Sequence, residues 1–167
     1  MDILSHSLWS LALLPGPPVF SKVVMGLLPD LSVFGTGLVV QTIKGQKQPR
    51  FQSREQMLQW FDKKDNRWIK GLYSWTHSLI IWICILIPVI IIYRCSYRAM
   101  PWFMLAAPLH IIMDIPTHTR DSFPVRFLTP LSRFQINGIH WSRKNAMILN
   151  YSFLLVTLAV RIGIIRQ

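Results

Sequence analysis

The sequence predicts an all-α protein: a polytopic transmembrane helical bundle of about four to five helices, forming a single membrane-embedded domain over residues 1–167. Three observations lead there. Hydrophobic residues make up 51% of the chain and the mean hydropathy is +0.35, too apolar for an ordinary soluble domain of this length. The uncharged run SLIIWICILIPVIIIY (78–93), extended back by a helical turn from Trp75, approaches the roughly 20 residues that a helix needs to cross a bilayer. A second run, AMILNYSFLLVTLAVRIGII (146–165), is of similar length and is interrupted only by Arg161.

The net charge of +11 sits mostly in two stretches, with eight basic residues between Lys44 and Lys70 and five between Arg120 and Lys144. Both lie between apolar blocks, where the positive-inside rule places cytoplasmic loops. Residues 44–74 therefore read as a basic cytoplasmic loop able to touch anionic lipid headgroups, and membrane lipids displace nucleic acid as the expected partner. The first basic residue is Lys22, so the opening apolar segment lacks the positive start of a cleavable signal peptide. Cys84 and Cys95 are roughly 16 Å apart along one helix, beyond disulfide reach.

Along the chain, Asp2 caps a first helix, ILSHSLWSLALL, which stops at the breaker PGPP (15–18). VFSKVVMGLLPD follows and reaches Pro29-Asp30, ahead of the Gly-containing LSVFGTGLVVQTI. Two topologies fit residues 1–43. In one, the first two helices form a short hairpin that dips into the bilayer and returns. Each arm has about 12 residues, or roughly 18 Å, short of a hydrocarbon core of about 30 Å. In the other, residues 19–43 make one span, kinked at Pro29, with Asp30 near mid-membrane. Residues 46–70 are basic and amphipathic. The long apolar helix starts near Trp75. After a turn carrying Arg94 and Arg98, Pro101 opens another helix, which runs to about Asp114 and is ended by Pro116. Residues 117–145 form a polar and aromatic membrane-interface arm, whose INGI (136–139) reads as a tight turn. The final helix completes the bundle.

Two of the seven acidic residues, Asp30 and Asp114, lie inside or at the edge of apolar segments. An isolated carboxylate in hydrocarbon is unfavourable by several kcal/mol, so an intramembrane acid defaults to a functional or paired role. In the hairpin topology, up-and-down alternation brings His6, Asp30, His77, His110 and Asp114 to one bilayer face, the cytoplasmic one. The single span strands His6 on the opposite side from His77, so the hairpin is preferred. Imidazoles and carboxylates from four helices are an ordinary ligand set for zinc, manganese or iron. His110 and Asp114 stand at i and i+4 on one helical face, able to bind one ion or bridge two. His118 continues the stripe beyond Pro116 and ranks second. Plainer roles also fit: Asp2 as an N-cap, His6 satisfied by backbone, His77 within a helix-start cap, Pro29-Asp30 as a turn. His140, beside Trp141, reads as interfacial, with no catalytic role.

In order and spacing, MDILSHS, LLPDLS, GLYSWTHS, HIIMDIPTHT and LTPLSRF resemble five segments of the YdjM-like family of inner-membrane metal-dependent hydrolases. Those segments are an early His, LLPDxD, HRGxTHS, HxxxDxxT and PxSxR, and the agreement runs to about Phe134. The resemblance implies a multi-pass inner-membrane protein holding zinc or manganese through His6, Asp30, His77, His110 and Asp114. It implies Thr76, Ser78 and Thr117 as hydrogen-bond partners of those ligands. It further implies metal-activated water attacking an ester, with a phosphoester or lipid-like amphiphile as a substrate. Asp30 or Asp114 would act as general base, and Arg133 would hold an anionic substrate group or a lipid headgroup. Two positions depart from the pattern: Ser32 replaces the second Asp of PDxD, and Leu72 the first His of HRGxTHS. These imply a reduced metal site, one ion instead of two, or lost activity. Trp75, Trp102, Phe127 and Phe134 suit an interface where an amphiphile lies, and equally suit membrane anchors.

Two other functions use the same residues. A metal or proton transporter predicts ionisable groups distributed through the membrane depth. A non-catalytic membrane adaptor, docking through residues 44–70, predicts that His110 and Asp114 are dispensable.

Overall fold

The computed structural model describes residues 1–16, 18–47, 49–93, 100–121 and 123–165. The regular elements among them are all helical, as expected. α1 (Ile3–Leu13) starts at Asp2, whose carboxylate accepts from the Ser5 amide (2.9 Å), the Ser5 hydroxyl (2.7 Å) and the Tyr151 hydroxyl (3.0 Å). Burial alone would raise the Asp2 carboxyl; these donors outweigh it and hold the group below its ordinary value. Asp2 is an N-cap.

α2 (Val19–Asp30) does not end at Pro29-Asp30. A π-helical turn (Leu31–Gly35) carries it into α3 (Thr36–Ile43), making Val19–Ile43 one 25-residue helix with an 18-residue window of mean hydropathy 1.8. Pro29 disturbs the hydrogen-bond ladder, and the adjoining π turn re-registers it without stopping the helix. The preferred hairpin is thus corrected. α1 does fold back along α2, but α2 runs on to membrane length, and Asp30 stands midway along it. The close α1–α2 contact needs Gly26, where a Cβ would fall 2.3 Å from Ser10 Oγ.

Residues 44–74 are largely helical and not an open loop. α4 (Arg54–Asp62) is capped by Ser53, whose hydroxyl accepts from the Gln56 amide (3.2 Å). α5 (Arg67–Thr76) buries Ile69 and Tyr73 in an apolar core with Val33, Phe61 and Phe123. The amphipathic pattern of this stretch thus folds it back over the middle of the α2–α3 helix. α5 breaks at His77 and Ser78, and α6 (Leu79–Tyr93) departs at 44° to it. Ser78 Oγ accepts from the Ile81 amide (3.3 Å), so the long apolar helix starts at Leu79 and not near Trp75.

A 3-10 turn (Trp102–Leu105) leads into α7 (Ala106–Asp114), and a second (Ile115–Thr117) follows it. α7 packs along α2, and α8 (Lys144–Ile165) packs along α1. The turn expected to carry Arg94 and Arg98 lies outside the described residues, as does Cys95; Cys84 is a free, exposed thiol. INGI forms no tight turn. It lies extended against the end of α7, with the Gly138 amide donating to His118 O (2.9 Å), Ile139 to Pro116 O (2.8 Å) and Trp141 to Thr117 O (3.0 Å). A Cβ on Gly138 would fall 2.2 Å from the Pro116 carbonyl oxygen, so this approach requires glycine.

Among the described residues, two helices are long and apolar enough to cross a membrane, Val19–Ile43 and Lys144–Gly163. They become three if the bent α5–α6 pair forms one span. α1 and Trp102–Thr117 are apolar but shorter, so two or three candidate spans stand where four to five helices were expected. Leu31, Leu38, Val39, Ile91, Leu155 and Val156 point outward, the pattern of a surface that meets lipid.

Candidate metal centre

α1 and α6 begin, and α7 ends, at the level of Asp30. This arrangement brings together His6, Asp30, His77, His110 and Asp114. Four of them are almost wholly buried, while the Asp30 side chain keeps 17% exposure. His77 Nε2 lies 3.4 Å from Asp30 Oδ1 and 3.7 Å from Asp114 Oδ2. His110 Nε2 lies 3.3 Å from Asp114 Oδ2 and 3.9 Å from Asp30 Oδ1. His6 Nε2 is 3.1 Å from Asp114 Oδ1, and its ring stacks on His110 at 3.5 Å. The five residues do share one level, although the longer α2–α3 helix replaces the hairpin from which alternation derived it. The level itself is corrected: it is not an open rim, because α3, α5 and the 117–145 arm lie beyond it.

The hydrogen bonds around the imidazoles decide what this cluster can hold. His110 Nδ1 donates to the Gly26 carbonyl (2.6 Å), and His77 Nδ1 donates to the Tyr73 carbonyl (3.2 Å). With the proton fixed on Nδ1, each neutral ring turns a lone pair on Nε2 towards the cluster. Those two nitrogens are only 3.2 Å apart. Two facing lone pairs beside two carboxylates repel unless a proton or a cation sits among them. His6 Nδ1 is buried without a hydrogen bond, and its Nε2 has only the Asp114 carboxylate beside it. A tetrahedral ion with bonds of about 2.0–2.1 Å to nitrogen separates its ligands by about 3.3 Å; the spacings within His77, His110 and Asp114 are 3.2, 3.3 and 3.7 Å. Two donor triplets, His6/Asp30/His110 and His77/His110/Asp114, which share His110, each have their ligand atoms within 4.8 Å of one another. Beside the neutral imidazoles stand two carboxylates, one of which, Asp114, already faces the Met1 ammonium. The donor set fits a metal.

The supporting residues divide. Thr76 Oγ1 is 3.1 Å from His77 Nδ1 and donates to Tyr73 O (3.3 Å), so it touches the ligand's hydrogen-bonding edge as expected. Ser78 instead caps α6 and donates to the Thr129 carbonyl; Thr117 donates to the backbone of Met113 (3.1 Å) and Asp114 (3.4 Å). His118 reaches the cluster despite Pro116, because the Ile115–Thr117 turn keeps the chain coiled: its Nδ1 donates to Asp114 O (3.1 Å) and lies 3.4 Å from Asp114 Oδ1. Burial pushes the His118 imidazole down to about 4, against the pull of the Asp114 carboxylate. The Met1 ammonium is ion-paired with Asp114 Oδ1, a positive charge already drawn to this carboxylate. Ser32 donates to Leu28 O (2.7 Å) and Leu72 packs on the apolar core, so the five-residue cluster forms without ligands at either position. Arg133 is exposed and is not brought to the cluster.

Several residues escaped sequence reasoning. Gly26 orients His110 through its carbonyl; Tyr73 stacks on His77 at 3.7 Å. Tyr73 stands one helical turn before His77, a spacing that signals contact. Lys22 and Arg161, cations inside apolar segments, close the far end of α1. Lys22 Nζ donates to Leu14 O (3.0 Å), and Arg161 donates to Leu11 O and to Ala12 O (2.8 Å for the latter). A cavity of about 570 Å³ adjoins the cluster, bordered by Met1, Asp30, Tyr73 and His118 and, on its exposed side, by Ser53, Arg54 and Ser142.

No family model, curated protein or solved structure matches this chain.

Proposed function

We propose that this chain is a multi-pass inner-membrane hydrolase of the kind the YdjM-like resemblance implies. Zinc or manganese would be held by ligands drawn from His6, Asp30, His77, His110 and Asp114, in a site reached from the cytoplasm. One observation carries the reading: two Nε2 lone pairs, fixed by backbone carbonyls, face each other at 3.2 Å between two carboxylates. The chemistry such an ion supplies when bound is Lewis-acid activation of water towards an ester. Of the two carboxylates, only Asp30 borders the cavity, which supports Asp30 as the base that takes a proton from water there. Asp114, enclosed by His6, His77, His110 and His118, serves as ligand and charge balance. The donors gather at one level instead of being strung through the depth of the bundle, which favours a resident ion over a conduction path.

The test uses full-length protein purified in detergent and loaded with zinc or manganese. Turnover of at least one member of a panel of short-chain phosphoesters and carboxylic esters is expected, with both metal and turnover lost in His110→Ala. Metal-replete protein that turns over none of them but carries the ion into proteoliposomes overturns the hydrolase reading in favour of transport. Intact function in cells of the His110→Ala/Asp114→Ala double variant overturns it in favour of the adaptor.

A further inference from the structure

We infer that the 570 Å³ cavity beside the cluster is a seat for an amphiphilic phosphate ester, with Tyr73 and Arg54 binding the oxyanion and the cavity wall taking the apolar part. This rests on the metal-site reading, since the seat would present its ligand to Asp30.

Tyr73 is the first support. Its ring is 2% exposed, and its hydroxyl is buried with no hydrogen-bond partner. Phenylalanine would fill the same core and stack on His77 without leaving a polar atom unsatisfied. The residue borders both the cluster, through His77, and the cavity. Tyr73 thus carries a buried donor without an acceptor, on a residue that lines the cavity.

Arg54 is the second. It occupies the first turn of α4, where the helix dipole disfavours a cation. Its Nη2 donates to Thr119 Oγ1 (3.1 Å), which ties it to the 117–145 arm at the cavity's exposed side. Helix stability does not explain a guanidinium here, whereas an anion in the cavity does. Arg54 thus takes the part that the sequence resemblance gave to Arg133.

The wall sets the rest of the ligand. Phe34, Phe51, Met57, Phe61, Phe123 and Trp141 line the cavity, an apolar surface that a bare phosphate would leave wet. A second cleft of about 160 Å³, lined by Ile3, Leu27, Asp30, Leu31 and Phe34, adjoins the first at Asp30 and Phe34. Ile3, Leu31 and Phe34 are exposed on the outer, apolar surface, so the cleft offers a route by which an acyl chain reaches the lipid. One head, one tail and two clefts meeting at Asp30 describe an amphiphile.

The test is calorimetric titration of the detergent-purified, zinc-loaded full chain with dihexanoyl phosphatidic acid, dihexanoylglycerol and inorganic phosphate. Zinc content is measured on each sample. Phosphatidic acid is expected to bind at least about tenfold more tightly than either half-ligand. Tyr73→Phe and Arg54→Gln are each expected to weaken it about tenfold, the effect of one lost hydrogen bond to a charged group, with zinc unchanged. Inorganic phosphate binding as tightly as phosphatidic acid overturns the amphiphile, leaving a plain anion site. Dihexanoylglycerol binding as tightly overturns the oxyanion seat. Parent-like binding by both variants overturns the assigned roles. Zinc present with no phosphatidic acid bound defeats this inference alone; zinc absent from the parent protein defeats the metal reading beneath it.

Discussion

At the C-terminal end of α1, Lys22 and Arg161 lie among apolar residues, and each donates to carbonyls of the last helical turn, at Leu11, Ala12 and Leu14. Those carbonyls have no partners within the helix, and cations suit that end of its dipole. About 12 Å back along the same helix, His6 is buried too, yet its Nδ1 has no hydrogen bond and its Nε2 meets only the Asp114 carboxylate of the cluster. Around it His77 and His110 turn lone pairs towards each other, and Tyr73 keeps a free hydroxyl. Both ends place ionisable groups in an apolar setting. At one the chain satisfies them itself and the result is scaffold; at the other it leaves them convergent and unsatisfied, and the result is a site. Burial of a polar residue alone does not distinguish these cases, whereas its partners do.

Four substitutions or treatments break or sharpen this contrast. Asp114→Asn removes the carboxylate common to most of the cluster's contacts. It is expected to weaken zinc binding by more than about 100-fold, beyond the effect typical of an outer hydrogen-bond partner, measured by competition with a chromogenic chelator. Zinc at 100 times its dissociation constant is expected to stabilise the parent by about 2.7 kcal/mol, seen as a raised thermal midpoint that chelation reverses and that His110→Ala lacks. Lys22→Met acts at the other end of α1. It is expected to destabilise the protein by about 2 kcal/mol, by leaving the Leu14 carbonyl without its charged donor, with stoichiometric zinc retained. Thr76→Val, which removes a hydroxyl at the outer edge of His77, is expected to weaken zinc about tenfold with no change in fold by circular dichroism. Loss of zinc from Lys22→Met would erase the distinction between scaffold and site.

Much of this was legible in the sequence. The i, i+4 spacing of His110 and Asp114 puts that pair on one helical face, and α1 folds back along α2 to bring His6 to it, as the hairpin reading required. Asp2 as a cap follows from residue type alone. The course of residues 19–43 was not legible, because Pro29-Asp30 reads as an ending and nothing local announces the π turn that carries the helix past it. The approach of His118 to Asp114 is hidden for a related reason: Pro116 ends α-helical hydrogen bonding, but a 3-10 turn keeps the chain coiled. The INGI segment reads as a turn by composition, whereas its glycine serves a close approach to the Pro116 carbonyl, a tertiary demand without a local signature. The folding of residues 44–74 over the site, and with it the cavity and Arg54, depends on α5 burying Ile69 and Tyr73 against residues distant in sequence.

The most direct measurement is elemental analysis of the detergent-purified full chain beside His110→Ala, both confirmed as folded. Close to one or two divalent ions per chain are expected in the parent, and a small fraction of that in the variant. The same metal content in both samples, whether stoichiometric or nil, would contradict the account.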